Sequence, residues 1–145
     1  MSKIFKIQAS WLKGTQIESE TRGFKILMDK PLEENGTNLA PKPAEVSLLA
    51  LGSCLLFAYL YAANKLHITI DGLKVNIEGE VVAGGWLDEQ QNKRPGFKSV
   101  HYEVLINTKH SDEEVEKVHN LALKVSPMYD NFIHPINVQG SFSIQ

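Results

Sequence analysis

Cys54 is the only thiol among 145 residues, and thiol chemistry is a natural place to look for function. A thiol can ligate a metal, pair into a disulfide, or attack an electrophile as the thiolate. A single cysteine excludes an internal disulfide and a metal site built from cysteines alone. The five histidines, His67, His101, His110, His119 and His134, show no metal-ligand spacing, so no metal and no other cofactor is expected. Attack by the thiolate remains, and it needs a cation beside the sulfur. The chain has two arginines, Arg22 between two strand-like segments and Arg94 in a loop. Against reactivity, Cys54 lies in an uncharged stretch, and a cysteine buried among apolar side chains is inert packing. Both readings of Cys54 stay open on these grounds. Ser126 lacks the G-x-S-x-G surroundings of an activated serine, and a Ser-Pro pair at a helix end is a turn former. His119 is expected to face solvent, His134 to sit in a turn, and Trp11 and Trp86 to be core or interface residues, with a pocket mouth as the alternative for Trp86 beside Gly84 and Gly85.

The elements that must position Cys54 are legible from periodicity. Residues 3–10, 16–21 and 24–28 read as strands punctuated by Gly14 and Gly23. Residues 29–42 form a loop with Pro31, Gly36 and Pro41, long enough to suggest a function or a partner contact. A helix begins at Pro43, with Glu45 in its first turn where the dipole favours negative charge. It runs to about Leu66, a length of about 35 Å at 1.5 Å per residue. Residues 73–82 and 97–107 alternate as half-buried strands. Ser111 and Glu114 make a capping box for a second helix, with Val115, Val118, Leu121, Ala122 and Val125 on one stripe, ending before Pro127. Residues 136–144 read as a final strand. The order is α+β with antiparallel strands, in one domain over 1–145.

Composition narrows the class. The net charge is −2, from 15 basic and 17 acidic residues, which gives no reason to expect a nucleic-acid partner. The first residues alternate polar and apolar types and carry no apolar run of the secretory kind. Residues 46–63 are uncharged and reach about the length at which a membrane span begins. Ser47, Gly52 and Ser53 interrupt them and no basic cluster flanks them, so no membrane partner is predicted. A helix apolar on every side is instead a central one, buried by its own domain or by a partner chain, and its length favours a homodimer in which helices from two chains pack together. A cytoplasmic location follows as the expectation.

Particular segments carry a family likeness. Glu20-Thr-Arg-Gly-Phe-Lys-Ile-Leu-Met-Asp29 precedes a loop holding Gly36-Thr-Asn38. Then come Pro41-Lys-Pro-Ala-Glu45 and Leu48-Leu-Ala-Leu-Gly-Ser-Cys54, and later Lys124-Val-Ser-Pro-Met-Tyr-Asp-Asn131. Together these resemble the OsmC/Ohr family of osmotically inducible and organic hydroperoxide resistance proteins. The resemblance implies an intertwined α+β homodimer with long central helices, and reduction of organic hydroperoxides. It implies that a first cysteine attacks the peroxide and a second closes a disulfide with it, while an arginine held by an acid steadies the thiolate. By position Cys54 matches the first cysteine, and Ser126 stands where the second would be. Arg22 matches the arginine. Glu45 matches the acid of many members; in others the acid stands one residue earlier, where this chain has Ala44.

Two functions follow as expectations. One is a one-cysteine thiol peroxidase, in which Cys54 reduces an organic hydroperoxide and an external thiol reductant resolves the sulfenic acid. The alternative is a catalytically silent dimer that binds a small hydrophobic ligand, with Cys54 as core packing.

Overall fold

Arg22 (φ 52°) and Gly23 (φ 85°) form the turn between strands β2 (Gln16–Thr21) and β3 (Phe24–Met28). A two-residue hairpin turn with positive φ at both positions matches the twist of its strands; glycine adopts that region freely, while Arg22 is held in it. A second tight turn at Gly14 joins β1 (Gln8–Lys13) to β2, and Trp11 Nε1 donates to the Gly14 carbonyl at 3.0 Å. The result is an antiparallel sheet in the order β1-β2-β3, with Trp11 opposite Ile17 and Ile17 opposite Met28. Strand β1 lies later than the 3–10 its alternation predicts. The turn sets the register: pairing starts at Lys13 with Gln16 and runs out at Gln8 with Glu20. Beyond it, the Thr21 hydroxyl donates to the Lys6 carbonyl at 3.0 Å.

A computed structural model describes residues 1–145, which gather into two compact units, Met1–Leu49 and Ala50–Gln145. In the first unit the loop after β3 is organised by Asp29, which is only 2% exposed. Its carboxylate accepts from the hydroxyls of Thr15 and Thr37, from Lys30 N–H at 2.7 Å and from Leu39 N–H at 3.1 Å. These donors, the Thr15 and Thr37 hydroxyls foremost, hold the carboxyl well below the usual carboxylate range. The loop therefore behaves as a fastened strap despite its length.

Helix α1 (Pro43–Lys65) starts with Pro43 at a position where its missing N–H costs nothing. Glu45 reaches back to accept the Lys42 N–H at 2.8 Å, the acidic half of a capping box. The helix closes where His67 turns left-handed (φ 57°) and Ile68 N–H reaches the Ala63 carbonyl at 2.8 Å.

In the second unit, β4 (Gly72–Val81) and β5 (Phe97–Asn107) form an antiparallel ladder with Val75 opposite Val104 and Ile77 opposite Tyr102. Helix α2 (Asp112–Val125) begins at the expected Ser111–Glu114 capping box. The core is Ala58, Tyr59, Ala62 and Ala63 of α1 against Val118 and Ala122 of α2, bordered by Leu73, Val104 and Ile106 of the sheet. Leu51 and Leu55 are buried further along the same face of α1. A side chain fully withdrawn from water in this way contributes about 1.5–3 kcal/mol. Gly52 lets the sheet approach: a Cβ there would stand 3.2 Å from Ile77 Cδ1 and 3.3 Å from Val75 Cγ1.

Two further features differ from the sequence expectation. Pro127 ends α2, and it also opens a third helix, α3 (Pro127–Ile133), with Ser126 as its N-cap. Residues 136–144 pair with no strand, and Ile136, Val138, Phe142 and Ile144 are all exposed. Alternation specifies which face a strand would bury; it does not supply the edge that would receive it. The architecture is thus mixed α+β, with two antiparallel sheets and three α-helices.

Because folding lowers the Asp29 pKa below its ordinary value of 3.8, its charged form adds stability above that pH, and the gain fades as pH falls below it. Thermal melts followed by circular dichroism between about pH 6 and pH 2 are expected to show a steeper acid loss in the wild type than in Asp29→Asn.

Candidate functional site

Cys54 stands on α1 at the border of two stripes. On one side lie the buried Leu51, Leu55 and Ala58; on the other, Phe57 is 74% exposed and Tyr61 54% exposed. The sulfur is half-buried and faces a cavity of about 360 Å³ lined by Phe57, Ala58, Tyr61, Val125 and Pro127. Those side chains are almost wholly apolar. Such a mouth suits an apolar substrate or ligand.

The polar neighbour of the sulfur is Ser126, whose Oγ lies 3.4 Å from Cys54 Sγ. Ser126 is 1% exposed and ends α2 while capping α3. Its Oγ accepts the Tyr129 N–H at 3.3 Å, which uses an oxygen lone pair and leaves the hydroxyl proton for the sulfur. A thiolate can only accept, so once Cys54 is ionised the proton must point from Ser126 to the sulfur. A hydrogen bond of that sense favours the charged form. The structure therefore joins two of the four residues singled out in the sequence, 72 positions apart.

Arg22 and Glu45 make their contacts within Met1–Leu49. The Arg22 guanidinium lies over the Phe24 ring, 5.5 Å from its centroid, and Glu45 serves the start of α1 through Lys42. No group of three or more His, Cys, Asp or Glu side chains gathers to hold a metal ion.

The structure adds a polar pair that sequence reasoning missed. The Tyr59 hydroxyl of α1 hydrogen-bonds His119 Nδ1 of α2, with ring centroids 5.9 Å apart. Burial pushes the Tyr59 phenol up to about 12, so it stays protonated. His119 is half-buried here, where solvent exposure was expected. The signal was available: His119 follows Val115 by four and precedes Ala122 by three, which places it on the rim of the α2 apolar stripe. Trp86 is 60% exposed and lies outside the linings of both this cavity and the larger one of the same unit.

Comparison with known proteins agrees with this architecture. The sequence profile of the family described as OsmC-like protein matches residues 36–140. An OsmC-like protein from Mycoplasma pneumoniae superposes with a TM-score of 0.79 at 20% identity, covering 92% of this chain and 89% of that one. An organic hydroperoxide resistance protein from Legionella pneumophila gives 0.67 at 22% identity, covering 88% of each chain. An OsmC-like protein of unknown function from Vibrio cholerae gives 0.67 at 18% identity, covering 90% of this chain and 93% of that one. No curated protein matches the chain.

Ser126→Ala removes the α3 cap together with the neighbour of the sulfur. Loss of an N-cap hydroxyl is expected to lower stability by about 0.5–2 kcal/mol, read as a lower denaturation midpoint in urea at unchanged slope.

Proposed function

This chain belongs to the OsmC-like protein family, and we propose that it is a one-cysteine thiol peroxidase acting on organic hydroperoxides. The observation that carries this reading is the half-buried Cys54 sulfur at the mouth of an apolar cavity, with a hydroxyl donor 3.4 Å away. The thiolate attacks the distal peroxide oxygen, forming an S–O bond as the O–O bond breaks. The departing alkoxide takes a proton from water and leaves as the alcohol, and Cys54 becomes a sulfenic acid. The Ser126 hydroxyl donates to the sulfur before attack. A serine cannot form a disulfide, so an external thiol condenses with the sulfenic acid and releases water. A second thiol then exchanges with that mixed disulfide, leaving Cys54 reduced and the two external thiols joined. The similarity to an organic hydroperoxide resistance protein supports the substrate class.

The same reading includes a homodimer. Phe57, Leu60 and Tyr61 form an exposed apolar stripe on α1, opposite the face that packs on α2, and a second copy is the cover that the family resemblance implies. The arginine and acid roles implied for Arg22 and Glu45 belong to this proposal too.

A second reading has its own observation. Among the residues lining the Cys54 cavity there is no cation. That favours a catalytically silent dimer that holds a small hydrophobic ligand, with Cys54 as packing.

Consumption of cumene hydroperoxide in the presence of dithiothreitol separates the two. The peroxidase reading expects turnover in wild type, none in Cys54→Ser, and slower turnover in Arg22→Ala. It also expects Ser126→Cys to form an intramolecular disulfide after one equivalent of peroxide, seen by intact mass as the loss of two hydrogens. Equal consumption by wild type and Cys54→Ser would overturn it in favour of the binding reading.

A further inference from the structure

The second unit contains a larger cavity, about 470 Å³, that shares no lining residue with the one at Cys54. Its walls come from β5 and α3. Phe97 and Phe132 stand 6.5 Å apart between ring centroids, and Tyr102 and Tyr129 meet edge to face at 6.2 Å and 82°. Leu51, one turn before Cys54 on α1, closes the floor. The volume lies in the usual range for a small-molecule site, about 300–1,000 Å³.

The charge around this cavity is one-sided. Its lining includes Arg94 and Lys98 and no aspartate or glutamate. The Lys98 ammonium is answered by Glu80 at 3.2 Å. Arg94 has no carboxylate, hydrogen-bond or ring partner for its guanidinium. Its backbone is seated, because Gly85 packs so closely that a Cβ there would fall 2.6 Å from the Arg94 carbonyl oxygen. The cavity thus presents four aromatic rings, phenol hydroxyls and one unanswered planar cation. A guanidinium binds a carboxylate through two parallel hydrogen bonds, and aromatic walls favour an aromatic guest in offset or edge-on contact.

We infer that this cavity is a second ligand site that takes a small aromatic carboxylate, its carboxylate on Arg94 and its ring among Phe97, Tyr102, Tyr129 and Phe132. The site goes beyond the peroxidase reading and needs no reaction at Cys54. Two links join it to the thiol: Leu51 on α1, and Tyr129, whose N–H donates to the Ser126 hydroxyl beside the sulfur.

The test is calorimetric titration of the full-length protein with 3-phenylpropionate and with its neutral methyl ester. Wild type is expected to bind the carboxylate more tightly than the ester. Arg94→Gln is expected to weaken carboxylate binding about tenfold or more while leaving ester binding unchanged, the loss of one charge-assisted contact. Arg94 is exposed, so this substitution leaves the fold intact. Phe132→Ala is expected to weaken both probes. Cys54→Ser should bind the carboxylate as wild type does, which separates failure of this inference from failure of the peroxidase reading. No heat at millimolar carboxylate, equal affinity in Arg94→Gln, or loss of binding in Cys54→Ser would each overturn the inference.

Discussion

Helix α1 sets the constraint on which the second unit depends. It is long and apolar enough, by length and composition, to cross a membrane, yet it has two different apolar sides. One side carries Leu51, Leu55, Ala58, Tyr59 and Ala62, a spacing of three and four that makes one continuous stripe. That stripe is the core of Ala50–Gln145, and α2 and the β4–β5 ladder are arranged to cover it. Alanines at 58, 62 and 63 and the bare Gly52 let the neighbours come close. The Tyr59–His119 hydrogen bond gives this contact a polar fastening, so α1 and α2 meet in one register. The other side, with Phe57, Leu60 and Tyr61, stays exposed in a single chain. Cys54 sits where the stripes meet, which explains how a residue on so apolar a helix can be half-buried and still open to a cavity.

Ser126 is where local structure and site chemistry coincide. One side chain ends α2, caps α3 and touches the sulfur. In a chain with one cysteine, that position cannot supply a disulfide, but it can supply a proton donor held rigidly by two helices. Its burial matters to that role. A hydroxyl 1% exposed cannot exchange its partners for water, so its hydrogen bonds have to be met inside the protein. The Tyr129 N–H and the Cys54 sulfur meet them.

Much of the fold was legible in the residues, because element type follows from local rules. Gly14 and Gly23 marked the hairpins, Pro43 and Glu45 the start of α1, and Ser111 with Glu114 the start of α2. The family likeness, carried by Pro41 to Glu45 and Leu48 to Cys54, placed Cys54 and Ser126 together as a pair. Where reading failed, a long-range or competing effect decided. The register of β1 came from its turn and not from the alternation of residues 3–10. Residues 136–144 have the pattern of a strand but pair with none in the single chain, because alternation alone does not bring a segment to a sheet edge. Pro127 signalled the end of a helix, and the same proline also suits the first turn of the next one.

The sequence by itself determined the α+β class, the hairpin turns, both long helices, and the one thiol the protein has. Tertiary structure decided what surrounds that thiol. It brought Ser126 across 72 residues to the sulfur, turned His119 onto Tyr59, and gathered Arg94 with four aromatic rings around a separate cavity. The physical reason is that turns, caps and periodicity act within a few residues, whereas a site is made by side chains that only packing brings together.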